Sequence, residues 1–191
     1  MNAAIVARLV SCRWTRPVVL VLSVCSVAAL AWSVFMPTAV RVVYNASDSV
    51  PVGWYRITPL DSVSDTEPDS IPVGSIVLTR LPPRAAALAN QRGYLPLQVP
   101  LLKRVGAIAP QHVCIAGGTV RIDGEPVATV LRTDALGRPL PSWQPCRQLI
   151  GGELFLLSVT NPASFDSRYF GPVSRESVIG MAQPIHLEAQ P

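Results

Sequence analysis

Thr119-Val120-Arg121-Ile122-Asp123-Gly124-Glu125-Pro126-Val127-Ala128-Thr129-Val130-Leu131 has the pattern of a β-hairpin. Thr119 to Ile122 leads into Asp123-Gly124, a dipeptide that supplies the positive φ a tight turn needs, and Val127 to Leu131 leads away from it. Short apolar runs recur on either side: Val40 to Tyr44, Ser75 to Leu78, Leu101 to Val105, Leu154 to Val159 and Val178 to Ala182. With 19 prolines and 12 glycines in 191 residues, such runs stay short. One segment is expected to be helical, the alanine-rich Arg84 to Arg92 between Pro82-Pro83 and Gly93. Asp61 to Ser70, polar and proline-containing, is expected on a surface loop. Together these signals predict a mainly β domain over residues 37–191, without internal repeats.

Ahead of that domain, Pro17 to Met36 is an uncharged run of 20 residues. A helix of that length reaches roughly 30 Å, the thickness of a bilayer core, so residues 17–36 are expected to form a single transmembrane anchor. A cleavable signal peptide is the competing reading, but its apolar stretch is usually only about 7 to 15 residues. Arg8, Arg13 and Arg16 precede the run, and all 12 acidic residues come at Asp48 or later. The positive-inside bias therefore assigns residues 1–16 to a cytoplasmic tail and exports the remainder, with membrane lipid as a partner. Without those three arginines the exported part has thirteen basic residues against twelve acidic ones. Near-neutrality gives no footing for nucleic acid.

Cys114 and Cys146 lie in the exported part, where an oxidising compartment favours their pairing over two buried thiols. Closing a loop of that length contributes about 3 to 4 kcal/mol by chain-entropy arguments. With only His112 and His186, and no metal-ligand spacing, neither a metal nor a cofactor is expected.

Two stretches carry chemistry. In Ser47-Asp48-Ser49-Val50-Pro51-Val52-Gly53, Pro51 restricts Val50 and Gly53 permits a sharp backbone path, so Ser49 sits on a stiffened turn suited to a nucleophile. Alone, the same residues also make an ordinary turn. In Leu101-Leu102-Lys103-Arg104-Val105-Gly106, the only lysine of the chain lies in an apolar strand, beside fifteen arginines elsewhere. Arginine cannot be deprotonated in a protein, whereas burial lowers a lysine pKa by up to about 3 to 5 units, so Lys103 is a candidate general base. Alternation along a strand points Lys103 and Arg104 to opposite faces. A third stretch, Ser164-Phe165-Asp166-Ser167-Arg168-Tyr169-Phe170-Gly171-Pro172, suits a buried Asp166–Arg168 pair of structural role, with Ser164 free to hydrogen-bond a neutral amine.

In order, Ser47 to Gly53, Gly74-Ser75-Ile76-Val77, Lys103-Arg104-Val105, Asp123-Gly124 and Asp166 to Pro172 resemble the boxes of the signal peptidase I superfamily, and in particular its TraF-type branch of conjugative transfer systems. The resemblance implies a signal-peptidase-like fold of coiled β-sheets with an apolar face near the bilayer, in the bacterial inner membrane with the catalytic domain periplasmic. It implies Ser49 as nucleophile, Lys103 as general base, Ser47 with the Ser49 N–H as the oxyanion hole, and Ser164 as the residue orienting the lysine. The substrate it implies is an exported precursor protein cut at its leader, such as a conjugative pilin, with water or an amine resolving the acyl-enzyme. Two departures stand out. Val50-Pro51 directly follows Ser49, which favours the TraF-type branch over general leader peptidases, and Ala109-Pro110-Gln111-His112 replaces a Pro-Gly-Asp turn. A non-enzymatic tethered scaffold of a secretion or pilus complex is the rival outside catalysis.

Overall fold

The architecture is that of a computed structural model, which describes residues 17–32, 42–60 and 71–188. The chain divides into two compact units, Met1–Ala39 and Val40–Pro191. In the first, residues 17–32 form helix α1, exposed along its whole length. The expected transmembrane helix over 17–36 is not found: among the described residues no helix is long and apolar enough to cross a membrane. Residues 33–36 of the expected span, the basic tail 1–16 and the expected loop 61–70 lie outside the described residues.

The second unit is mainly β. Its strands are β1 (Val42–Asn45), β2 (Gly53–Pro59), β3 (Ile76–Thr79), β4 (Leu101–Ile108), β5 (His112–Ala116), β6 (Thr119–Ile122), β7 (Glu125–Thr129), β8 (Arg147–Gln148), β9 (Glu153–Leu156), β10 (Val173–Ser174) and β11 (Val178–Leu187). Two α-helices, α2 (Pro83–Gln91) and α3 (Ser167–Phe170), and a 3-10 turn at Arg175–Ser177 lie among them. A seven-stranded sheet runs β1-β2-β11-β3-β4-β9-β10 and a four-stranded sheet runs β7-β6-β5-β8, every neighbour antiparallel.

Inner strands bury both faces. In β3, Val77 joins a cluster with Val105, Leu154, Leu156, Val173 and Val178, while its neighbour Leu78 joins another with Val50, Tyr55, Ile57, Leu102 and Ala182. A third cluster, Ala107, Val113, Val120, Leu149, Phe155 and Leu157, fastens the small sheet to β4 and β9. This explains why β3 is a continuous apolar run rather than an alternating one.

The Asp-Gly hairpin forms where expected: Asp123 and Gly124 take φ of 52° and 90°, and Ile122 pairs with Glu125 across the turn. Its second strand starts and ends earlier than Val127 to Leu131, because Val130 N–H turns to Gly118 O and Leu131 N–H to the Tyr169 hydroxyl. β9 stops at Leu156 rather than Val159, since the Ser158 N–H is taken by the Asp166 carboxylate. β11 outruns Val178 to Ala182 by continuing along β2 past a register shift near Pro184. Helix α2 begins at Pro83, whose missing N–H costs nothing in a first turn.

Candidate active site

The loop between β1 and β2 carries Ser47, Asp48 and Ser49, and its shape is set by one side chain that the sequence reading passed over. Asn45, buried at the end of β1, donates through Nδ2 to the carbonyls of Ser47 (2.6 Å), Val50 (3.0 Å) and Pro51 (3.1 Å). Its Oδ1 accepts from the Ser47 N–H (3.2 Å) and the Ser47 hydroxyl (3.0 Å). Tyr55 adds a bond from its hydroxyl to Pro51 O at 2.6 Å. At the far end, Gly53 has φ 145°, and a Cβ there would lie 2.2 Å from His186 O on β11, so only glycine lets β2 start so close to its neighbour.

Held this way, Ser49 is 6% exposed, and its hydroxyl lies 3.0 Å from that of Ser47. Because the Ser47 proton already points at Asn45 Oδ1, the Ser49 hydroxyl is the donor in this contact.

Lys103 comes from β4, paired with Val77 of β3, and is 3% exposed. Arg104 turns the other way and donates to Gly74 O at 2.6 Å, the alternation expected of a strand. The ammonium stem of Lys103 ends on Ser164 Oγ at 2.5 Å. Burial pulls its pKa down from 10.5 to about 8, against the carboxylates of Asp166 and Asp48, which raise it, and with the help of Arg168. A lysine so placed can exist as the neutral amine near neutral pH and can accept a proton.

Ser164 sits on the loop between β9 and α3, and the Asp166–Arg168 pair fixes that loop. Both residues are fully buried. Arg168 grips Asp166 with two bonds, Nε to Oδ1 at 2.8 Å and Nη2 to Oδ2 at 2.7 Å. The remaining guanidinium protons go to backbone oxygens of Thr129 (2.8 Å), Ser158 (3.3 Å), Asn161 (3.1 Å) and Ser164 (3.2 Å). Asp166 in turn accepts from the N–H of Ser158 and caps α3 through the N–H of Arg168. The two charges are thus paired and further hydrogen-bonded, which is the condition for burying an ion pair without a large penalty.

Ser47, Ser49, Lys103 and Ser164 line one cavity of about 380 Å³, walled by Leu81, Leu95, Leu101, Leu131, Leu140 and Tyr169. Among the described residues the Ser49 and Lys103 side chains are not hydrogen-bonded to each other; each is held by its own serine. Free enzymes often show such bonds loose, tightening only around substrate. Asp166 and Arg168 lie behind the cavity as support. Cys114 and Cys146 form a disulfide with Cα atoms 4.1 Å apart, tying β5 to the start of β8 and taking no part in the cavity lining.

A serine hydroxyl and a buried amine thus open onto one cavity of an antiparallel β scaffold. Residues 13–187 match the signal peptidase family, peptidase S26, and the chain belongs to that family. Within it the chain resembles conjugation proteins. It is 32% identical over 154 residues to the plasmid transfer protein TraF of Escherichia coli, covering 74% of this chain and 80% of that one. It is 35% identical over 152 residues to a probable conjugal transfer protein TraF of Sinorhizobium fredii, covering 74% of each. The conjugal transfer protein TraF of Agrobacterium fabrum is 34% identical over 151 residues, covering 74% of this chain and 80% of that one. A crystal structure of a signal peptidase I from Enterococcus faecalis aligns with 22% identity over 59% of this chain and 97% of that one, with a TM-score of 0.37.

Proposed function

We propose that this peptidase is a Ser49/Lys103 endopeptidase, anchored in the bacterial inner membrane with its β domain in the periplasm, that cleaves the leader of an exported precursor of a conjugal transfer system, a pilin foremost. The observation that carries the reading is the buried Lys103 amine, its pKa lowered to about 8, opening onto the same cavity as Ser49. The TraF relatives support the transfer-system substrate. The apolar helix at residues 17–32, with Arg8, Arg13 and Arg16 before it, supports the anchor.

The Ser49 Oγ attacks the scissile carbonyl carbon while neutral Lys103 takes its proton. The resulting lysinium returns that proton to the leaving amine as the C–N bond breaks, leaving an ester on Ser49. Water, or an amine of the substrate itself, then attacks the ester with Lys103 again as base, and Ser49 regains its proton. The oxyanion is held by the Ser49 N–H and by the Ser47 hydroxyl, which must leave Asn45 Oδ1 to reach it. Ser164 aims the amine. Tethering to the bilayer that also holds the precursor adds proximity.

The test is to express the full-length protein in membranes with pilin precursors encoded beside its gene, next to Ser49→Ala and Lys103→Ala, and to read precursor masses by intact mass spectrometry. Shortening by the wild type alone is the expected outcome, and a product one further water lighter marks cyclisation. Equal processing by the variants refutes the dyad. Shortening of unrelated exported precursors would assign the protein to general secretion instead. Function that survives both alanine variants would leave a tethered scaffold as the reading.

A further inference from the structure

Between β7 and β8 the chain folds back on itself as a small hairpin. Its arms meet at one bridge, Thr133 with Pro139, and through Leu140 N–H to Arg132 O at 2.9 Å. Asp134 N–H reaches Arg138 O at 3.0 Å, and Gly137, with φ 74°, closes the tip through its N–H to Asp134 O at 2.9 Å. Leu131, Asp134, Ala135 and Leu140 line the cavity that holds Ser49 and Lys103, and so do Tyr94 and Leu95, which follow α2. Both segments lie outside the strands of the two sheets. Part of the cavity wall therefore has no ladder to hold it.

One carboxylate ties these segments together. The Asp134 side chain, 8% exposed, accepts within the hairpin from the N–H groups of Leu136 (3.0 Å) and Arg138 (2.9 Å) and from Arg138 Nε (2.7 Å). From the segment after α2 it accepts the Tyr94 hydroxyl, with Arg92 Nη1 at 3.7 Å. Arg92 Nη2 also donates to Pro139 O at 2.8 Å, and the Arg138 guanidinium lies 5.6 Å from the centre of the Tyr94 ring. Charged bonds of this kind are the strong ones, and here they fix where Leu131, Ala135 and Leu140 stand around the cavity.

The space they frame is apolar and large. At about 380 Å³ it exceeds twofold the roughly 150 Å³ that lodges a benzene ring in an engineered protein cavity. Ala135, exposed on the hairpin, leaves the mouth open. An alanine side chain entering from a substrate would leave most of this room to water, whereas each further methylene buried there raises affinity about fourfold.

We propose that the hairpin between Leu131 and Leu140 is a specificity wall, positioned by Asp134, that selects precursors carrying a bulky apolar side chain, leucine or larger, at the position that enters the cavity. The assignment rests on the Ser49/Lys103 reading for which bond is cut, but not for the binding itself. An Asp134 cluster that only stabilised the fold would, when removed, weaken the binding of every peptide alike and leave the ratio between small and large side chains unchanged.

Full-length Ser49→Ala protein in non-ionic micelles is titrated by fluorescence anisotropy, with binding to protein-free micelles subtracted. The probes are labelled, N-acetylated Ala/Ser decapeptides bearing one alanine, leucine or phenylalanine at each position in turn. At one position leucine or phenylalanine should bind about tenfold or more tightly than alanine. Adding Ala135→Phe, which puts a ring at the mouth, should remove that preference while the alanine peptide keeps its affinity within about twofold. Adding Asp134→Ala should flatten the preference to within about threefold, and Asp134→Glu, which keeps a carboxylate for Tyr94 and Arg138, should restore part of it. Binding that ignores side-chain size, a preference for alanine, binding of none, or a preference that survives Ala135→Phe overturns the proposal, and one that survives Asp134→Ala overturns the positioning role. Precursor cleavage by the wild type, measured separately, tests the dyad, so the two can fail independently.

Discussion

Replacing Lys103 by methionine should abolish cleavage and stabilise the protein, and both effects must report the same pKa. An amine with a folded pKa of about 8 is about one-tenth neutral at pH 7, against roughly one part in 3,000 at the unperturbed 10.5, so burial enriches the base by about 300-fold. The acid limb of kcat/KM should therefore rise about tenfold per pH unit and level off near pH 8. The same shift destabilises the fold. Between pH 8 and 10.5 the unfolded chain binds the proton that the folded one releases, so stability rises with pH across that window. Below pH 8 the full penalty of about 3 kcal/mol is present, and it has vanished above 10.5. Lys103→Met removes the penalty, so its urea midpoint should exceed that of the wild type at pH 7 by an amount equivalent to about 3 kcal/mol, closing as the pH approaches 10.5. The assays are precursor cleavage in micelles from pH 5 to 10 and urea denaturation at matched pH. A cleavage profile inflecting below about pH 7 or above about pH 10, or a methionine variant no more stable than the wild type at pH 7, would refute the argument.

Arg168→Met leaves the Asp166 carboxylate buried without its partner and should cost about 3 to 5 kcal/mol in urea denaturation, and Arg168→Lys should not rescue it, because one ammonium cannot reach four carbonyls and a carboxylate together. Ser47→Ala should lower kcat by about 10² to 10³ with KM little changed, as read by steady-state cleavage of a purified precursor. Cys146→Ser opens a loop of sequence separation 32 and should lower stability by about 3 to 4 kcal/mol, seen as a fall in the urea midpoint that dithiothreitol does not deepen. Gly53→Ala drives a Cβ into the backbone of β11 at φ 145° and should destabilise by more than about 2 kcal/mol; a variant with unchanged melting temperature would contradict the close approach.

Short-range signals carried much of this fold. Asp123-Gly124 announced its hairpin because a two-residue turn has a local cause, and the two faces of β4 followed from strand alternation at Lys103 and Arg104. Strand β2 was equally legible and was overlooked: Gly53, Tyr55 and Ile57 face inward while Trp54 and Arg56 face out, but the segment sits beside the Ser-Asp-Ser turn that drew the reading instead. Helix α3 was not legible, since four residues show no helical period and depend on the Asp166 cap. Asn45 could have been suspected as a polar residue ending an apolar run. Its five bonds, however, depend on how the following loop curls back over it. The bond between Asp48 and Asn161 spans 113 residues, a juxtaposition that only tertiary structure creates.

Asn45, which escaped the sequence reading, and Arg168, which did not, share a physical role. Loops that bring Ser49 and Ser164 to an apolar cavity carry backbone carbonyls into surroundings where unpaired ones are costly, and no neighbouring strand is there to pair them. Asn45 supplies donors to three such carbonyls in one loop, and Arg168 supplies them to three in the other. Each therefore does for its loop what a ladder does for a strand, with one side chain in place of a neighbouring backbone. This explains how Ser49 and Ser164, the hydrogen-bond partner of Lys103, can sit on loops and still be held to fixed positions. It also explains why the supporting residues are polar and buried: an apolar side chain of equal size would fill the same space and leave the carbonyls unmet.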